Sequence, residues 1–201
     1  NDEVILGHDS GFRLNYLDHL RNLFYSWNPI SNFGYDWGIL KGFLVAQAPE
    51  TFFSWLFNSL ATGEKISFVL WFFAMGVSMY IFIRNFFPQR EFWIFRLFSS
   101  LFYMFNFFIL QGWFIAERSK FSLYAALPLG LLVIYRLFNK DYTLMKGTII
   151  FSLIFFFLNG GGNPTLYAAS LLVYFLTFLY LTLINYLKNG LREVIYAIKV
   201  V

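Results

Sequence analysis

The residues of this 201-residue chain best able to do chemistry are a few polar groups stranded in an apolar sequence. In Gly7-His8-Asp9-Ser10-Gly11 a carboxylate sits between glycines, where the backbone turns sharply and a ligand can approach closely. Such a carboxylate can take a proton from an acceptor hydroxyl, which makes Asp9 the candidate general base. Asp and Ser also cap helices, so Asp9 or Ser10 as a cap for the following helix is an equal reading. Asp36, between Tyr35 and Trp37, is either a second site carboxylate or a turn residue. His8 adjoins Asp9, but His8 and His19 lack the ligand spacing of a zinc site. No metal or cofactor is assigned from these residues; a divalent cation stays open without support.

Two further polar islands carry the complementary charge. In the turn Glu117-Arg118-Ser119-Lys120 a guanidinium could fork two phosphate oxygens while the ammonium adds a point charge. The alternative is an ordinary pair of interfacial anchors. The run Asn159-Gly160-Gly161-Gly162-Asn163-Pro164-Thr165 opens a helix with free amide donors suited to an anion. It lacks the Gly-Lys-Ser or Gly-Lys-Thr of a nucleotide-binding loop, and close packing of a helical hairpin explains its glycines equally well.

Other chemistries are absent from the sequence. There is no cysteine, hence no disulfide, thiolate metal site or thiol nucleophile. No Gly-x-Ser-x-Gly elbow, His-Glu-x-x-His pair or dinucleotide fingerprint occurs, which removes the usual soluble hydrolases and dehydrogenases. The net charge of +4 comes from Lys and Arg scattered at the ends of apolar runs, so nucleic acid is not an expected partner.

The elements that must position these groups are membrane helices. Hydrophobic residues make 59% of the chain and charged ones 13%, with a mean hydropathy of +0.59, too apolar for one aqueous core to hide. A spanning helix needs about 20 mainly apolar residues, and on that criterion spans are expected over 66–83, 94–115, 121–138 and 165–187. A shorter apolar helix over 148–158 precedes the glycine run, and another segment begins near Val194. The expected fold is thus all-α: a polytopic bundle over 66–201, capped by an outer loop over 1–65. In that loop Leu14, Leu17, Leu20, Leu23, Phe24 and Trp27 recur at helical spacing, which predicts an amphipathic helix ended by Asn28-Pro29. The stretch Ile39 to Leu60, interrupted by Gln47, Pro49 and Glu50, predicts two short helices on or dipping into the bilayer.

Positive loops stay on the cytoplasmic side. Entry of the first span from outside puts Arg84, Arg90, Arg96, Arg136, Lys140, Lys146, Lys188, Arg192 and Lys199 inside, and leaves the acid-rich first 65 residues outside. All three polar islands then share the outer face. An outward-leading helix before Asn1 is implied, so the sequence reads as an excerpt of a longer integral protein of the cytoplasmic or cell membrane.

Four segments follow one another: Gly-His-Asp-Ser-Gly at 7–11, Leu23-Phe24-Tyr25-Ser26-Trp27-Asn28-Pro29, Asn32-Phe33-Gly34-Tyr35 and Asn159-Gly160-Gly161-Gly162-Asn163-Pro164. In their order and setting the chain resembles the GT-C class of membrane glycosyltransferases. Within the class it looks most like the N-terminal membrane part of the cell-envelope arabinofuranosyltransferases. The resemblance implies transfer of a sugar from a polyprenyl-phosphate donor to an extracytoplasmic glycan, lipid or protein acceptor, without a cofactor. Asp9 then inherits the role of base; by their place on the outer face, and not by a family motif, His8, Asp36, Glu117, Arg118, Lys120 and Asn163 are the expected substrate-binding residues. Asn28 stands where the family pattern has an acidic residue, so no catalytic role passes to it. The competing reading is a non-catalytic scaffold or a lipid-binding, flippase-like subunit of a surface assembly, built on the same outer pocket.

Overall fold

A computed structural model describes residues 27–28, 35–36, 43–106, 109–111, 118–158 and 164–189. The described residues are helices and the turns between them apart from one antiparallel pairing, in which β1 (Trp27–Asn28) meets β2 (Tyr35–Asp36) with Trp27 opposite Asp36 and Asn28 opposite Tyr35. The helices are α1 (Phe43–Phe57), α2 (Leu60–Phe86), α3 (Trp93–Met104), α4 (Arg118–Phe138), α5 (Leu144–Leu158) and α6 (Pro164–Asn189). A 3-10 turn, Arg90–Phe92, leads into α3.

Local chemistry explains how two of the hairpins are made. Asn58 adopts φ 49° and closes α1: its N–H donates to Trp55 O at 3.3 Å, and that of Ser59 to Ser54 O at 3.1 Å. Asn tolerates this left-handed conformation better than most residues, and the paired bonds form a Schellman motif. Ser59 then caps α2, its Oγ accepting from Thr62 N at 3.3 Å. The same device joins α4 to α5. Lys140 has φ 64°, its N–H donates to Leu137 O at 3.1 Å, and Asp141 N–H donates to Arg136 O at 2.9 Å. Thr143 caps α5 through Lys146 N at 3.3 Å.

Among the described residues three helices are long and apolar enough to cross a membrane, over Leu60–Phe86, Lys120–Phe138 and Thr165–Leu187. Their burial differs with position: 56% of the α4 window is buried inside the protein but only 11% of that of α6, so α4 is central and α6 turns most of its surface outward. Outward-facing Phe98 and Phe102 on α3 are 67% and 79% exposed. Such surface suits hydrocarbon, where apolar side chains meet no hydration penalty. The chain is a helical membrane protein.

The direction of each helix follows from its contacts. Phe68 meets Phe121 edge to face at 5.8 Å, and seventeen residues on in α2 Asn85 bonds to Arg136, so α2 and α4 run parallel. Tyr174 of α6 meets Ala126 and Gly130 while Phe178 meets Phe138, which sets α6 broadly parallel to α4 as well. α5 runs back beside them, with Gly147 against Leu137 and Phe155 against Tyr167. α3 runs back along α2 from Phe87, whose carbonyl accepts from Arg96, to Gly76, where Met104 fills the space a Cβ would need. A cluster of Phe68, Trp71, Met75, Ile109, Phe121 and Ala125 forms the core where α2, α4 and the segment after α3 converge. We call the end holding the N-termini of α2, α4 and α6 the head and the opposite end the tail.

Three expectations are corrected. The span over 94–115 is not one continuous helix: α3 has 12 residues, about 18 Å, and stops at Met104. Asn106 ends it, Nδ2 donating to Tyr103 O at 2.7 Å and Oδ1 accepting from Ile109 N at 3.1 Å, so one side chain takes over main-chain bonds that helix continuation would need. Second, the stretch from Ile39 to Leu60 does not hold two short helices before the first span. Pro49 lies inside the single helix α1, and α2 already starts at Leu60, so the expected boundary at 65/66 falls within a helix. Third, Trp27, expected to end an amphipathic helix, pairs in β1; the remainder of that predicted helix, and the segment near Val194, lie outside the described residues.

Pro128 lies in the interior of α4 and has no N–H to give to Tyr124 O, four residues earlier. Tyr103 of α3 supplies the missing donor, its hydroxyl 2.9 Å from that carbonyl. A stranded carbonyl is costly where no water reaches it, so this contact ties the short return helix to the central one.

Candidate functional site

The head of the bundle holds the buried polar groups that need explaining. On α1, Glu50 and Ser54 are one helical turn apart; on α2, Glu64 and Ser67 occupy one face in the same way. Glu50 is 2% exposed, and Glu64, Ser54 and Ser67 are fully buried, with Thr51 close behind. Helix backbones approach this closely because residue 63 is Gly: a Cβ there would overlap Ser54 and lie 2.7 Å from Glu50 O. Buried carboxylates persist only when partnered, and Glu50, Thr51 and Glu64 each have a hydrogen-bonded or electrostatic partner. Ser54 Oγ and Ser67 Oγ have none among the described residues, which leaves two hydroxyls inside the seam with bonding capacity to spare.

The head of α4 lies at the same level. Phe121 packs on Phe68, one turn below Glu64, so Lys120 and the start of α4 stand beside the carboxylate-bearing turn of α2. Lys120 is half-buried and partnered. α6, which starts at Pro164 directly after the glycine run, has its head at this end too. A cation, the N-terminal ends of three helices and a pair of buried carboxylates are thus gathered at one end of an apolar bundle. Such an arrangement can hold an anion against the cationic side while the carboxylates fix the helices that present it.

Of the residues singled out by sequence, Lys120 is placed as described, Arg118 is the first residue of α4, and Asp36 pairs with Trp27 in the hairpin. His8, Asp9, Glu117 and Asn163 lie outside the described residues. Sequence reasoning missed Glu50 and Glu64, which it treated as a helix interruption and as loop charge. The available signal was a Glu followed by Ser three or four residues later, twice, in apolar surroundings, with Gly63 to allow contact. Among the described residues no three His, Cys, Asp or Glu converge as metal ligands.

Compared with models of known protein families, with curated proteins and with solved structures, the chain matches none.

Proposed function

We propose that this chain is part of a GT-C-like membrane glycosyltransferase that moves a sugar from a polyprenyl-phosphate donor to an extracytoplasmic glycan, lipid or protein acceptor. The observation that carries this reading is the gathering of ionisable groups at the head: Glu64 and Lys120 near the N-terminal ends of α2 and α4, two helices long and apolar enough to cross a membrane, with Glu50 of α1 packed beside Gly63 of α2. A reaction between a lipid-borne donor and a water-borne acceptor needs charge at one membrane face and hydrocarbon contact below it.

In the proposed reaction Asp9 removes the proton from the acceptor hydroxyl as its oxygen bonds to the anomeric carbon. The bond from that carbon to the phosphate oxygen breaks, and the electron pair leaves with the lipid phosphate. Arg118 and Lys120 stabilise the charge on the departing oxygens, which grows in the transition state and therefore lowers the barrier. His8, Asp36, Glu117 and Asn163 complete the donor and acceptor contacts, and the head faces out of the cell, with Arg84, Arg136, Lys140 and Lys146 inside.

The test is sugar transfer by the full-length protein in proteoliposomes, with a radiolabelled polyprenyl-phosphate sugar and an acceptor glycan. Asp9→Asn is expected to lower the rate roughly 100-fold or more, the usual contribution of a general base. A normally inserted variant that transfers at the original rate removes Asp9 as base. Donor binding without any turnover, in the unaltered protein, supports the lipid-binding scaffold instead.

A further inference from the structure

The tail of the bundle carries a second charged feature, remote from the head. Arg84 in the last turn of α2 and Arg136 in the last turn of α4 line one half-open cavity of about 350 Å³, together with Ile81, Asn85 and Pro88. The cationic ends of two helices suit their C-terminal dipoles, which explains the sign of the charge. The dipole does not explain why Arg136 is clamped. Its Nε donates to Asn85 Oδ1 of the neighbouring helix at 3.0 Å, its Nη1 donates to Tyr142 Oη at 3.0 Å, and its guanidinium carbon lies 5.3 Å from the centre of the Tyr142 ring. Nη2 keeps its donors, and the Arg84 side chain has no polar partner among the described residues. Glu91 and Asp141, the described carboxylates of this end, are both exposed; Asp141 reaches Arg136 only through its main-chain N–H.

We propose that this cavity binds the phosphate of an anionic lipid headgroup. A fixed guanidinium with an unused nitrogen, facing a second guanidinium across the junction of two parallel helices, offers convergent donors to a phosphate and no counter-charge of its own. The position selects a lipid over a dissolved anion. The cavity closes the ends of two helices long enough to cross the membrane, and Ile81, Phe86 and Phe87 beside it are exposed and apolar, a surface for the acyl chains. Basic pockets between membrane helices recognise anionic headgroups in this way.

Native mass spectrometry of the full chain in detergent, titrated with phosphatidylglycerol, phosphatidylcholine or inorganic phosphate, tests the assignment. Phosphatidylglycerol is expected to be retained in preference to phosphatidylcholine, and Arg84→Gln to weaken it about fivefold, the worth of one basic residue at a membrane surface. Arg136→Lys, which keeps the charge and loses the fork, weakens it too, while Lys146→Gln, at the same end but outside the cavity lining, leaves it unchanged. Equal retention of both lipids, or equal losses in Arg84→Gln and Lys146→Gln, overturns the site. Arg84-dependent binding confined to inorganic phosphate overturns the lipid assignment.

Discussion

The Tyr103 hydroxyl donates at 2.9 Å to the main-chain carbonyl of Tyr124, the carbonyl that Pro128 leaves without its helical donor. A defect in the central helix and a side chain of the short return helix thereby satisfy each other. Tyr103→Phe is expected to cost about 1 kcal/mol, the scale of hydrogen bonds between membrane helices. In a Tyr103→Phe, Pro128→Ala double variant the helix recovers its own donor, so the cost of losing the hydroxyl shrinks. A double-mutant cycle of unfolding in detergent measures this coupling; additive effects would show that the hydroxyl does not act on the proline defect.

Gly63 sets the distance between α1 and α2, and with it the polar seam. Ala has the better helix propensity by about 1 kcal/mol, yet a Cβ at this position meets the main chain of α1, which cannot swing aside as a long side chain can. Gly63→Ala is therefore expected to destabilise by ~1–3 kcal/mol, the usual range for overpacking. Thermal unfolding in detergent checks the sign: a raised midpoint would mean that α1 is not held against α2.

Lys140 takes a left-handed conformation at the close of α4, a cost of roughly 1 kcal/mol for a residue with a Cβ. Lys140→Gly should raise the unfolding midpoint, whereas Asn58→Val at the matching position after α1 should lower it, since a branched residue resists the same conformation. Opposite signs for the two substitutions identify the conformation, and not the charge or size of the side chain, as the cause.

Glu64 is buried and partnered, so removal of its charge leaves that partner stranded. Glu64→Leu is expected to destabilise by ~3 kcal/mol or more, as broken buried pairs do. Glu64→Gln keeps the shape and part of the hydrogen bonding and should retain more of the fold. Expression and detergent unfolding of the two variants separate these outcomes; equal stability of Glu64→Leu and the unaltered protein would show a carboxylate held without a partner.

Hydropathy made the long helices legible: the limits expected for 121–138 and 165–187 agree with the spans of α4 and α6 to within a residue or so. Local polar chemistry shifted the other boundaries. Ser59 starts α2 before the expected span because its hydroxyl caps the helix there, and the polar Glu64 and Lys65 then continue the helix at its contact with α1. Asn106 was visible inside an apolar run, but whether an Asn is carried along a helix or turns back on its own main chain depends on the neighbouring bonds at Tyr103 and Ile109. Pro49 shows the reverse: a residue expected to divide the segment is accommodated inside α1. The Glu50 and Glu64 seam was least legible, because each carboxylate looks like surface charge until α1 folds against α2. Lys120 was found from its charge, whereas its level beside Glu64 follows only from Phe121 packing on Phe68.

The account rests on the polar islands meeting at one membrane face, and labelling with a membrane-impermeant thiol reagent tests this most directly, since the chain has no native cysteine. Single variants Asp9→Cys, Lys120→Cys, Gly161→Cys and Lys140→Cys are treated in intact cells and again after lysis. Labelling of the first three in intact cells, with Lys140→Cys protected until lysis, is the predicted result. Protection of any of the first three until lysis while another of them is labelled from outside would place the islands on opposite faces and contradict the proposed site.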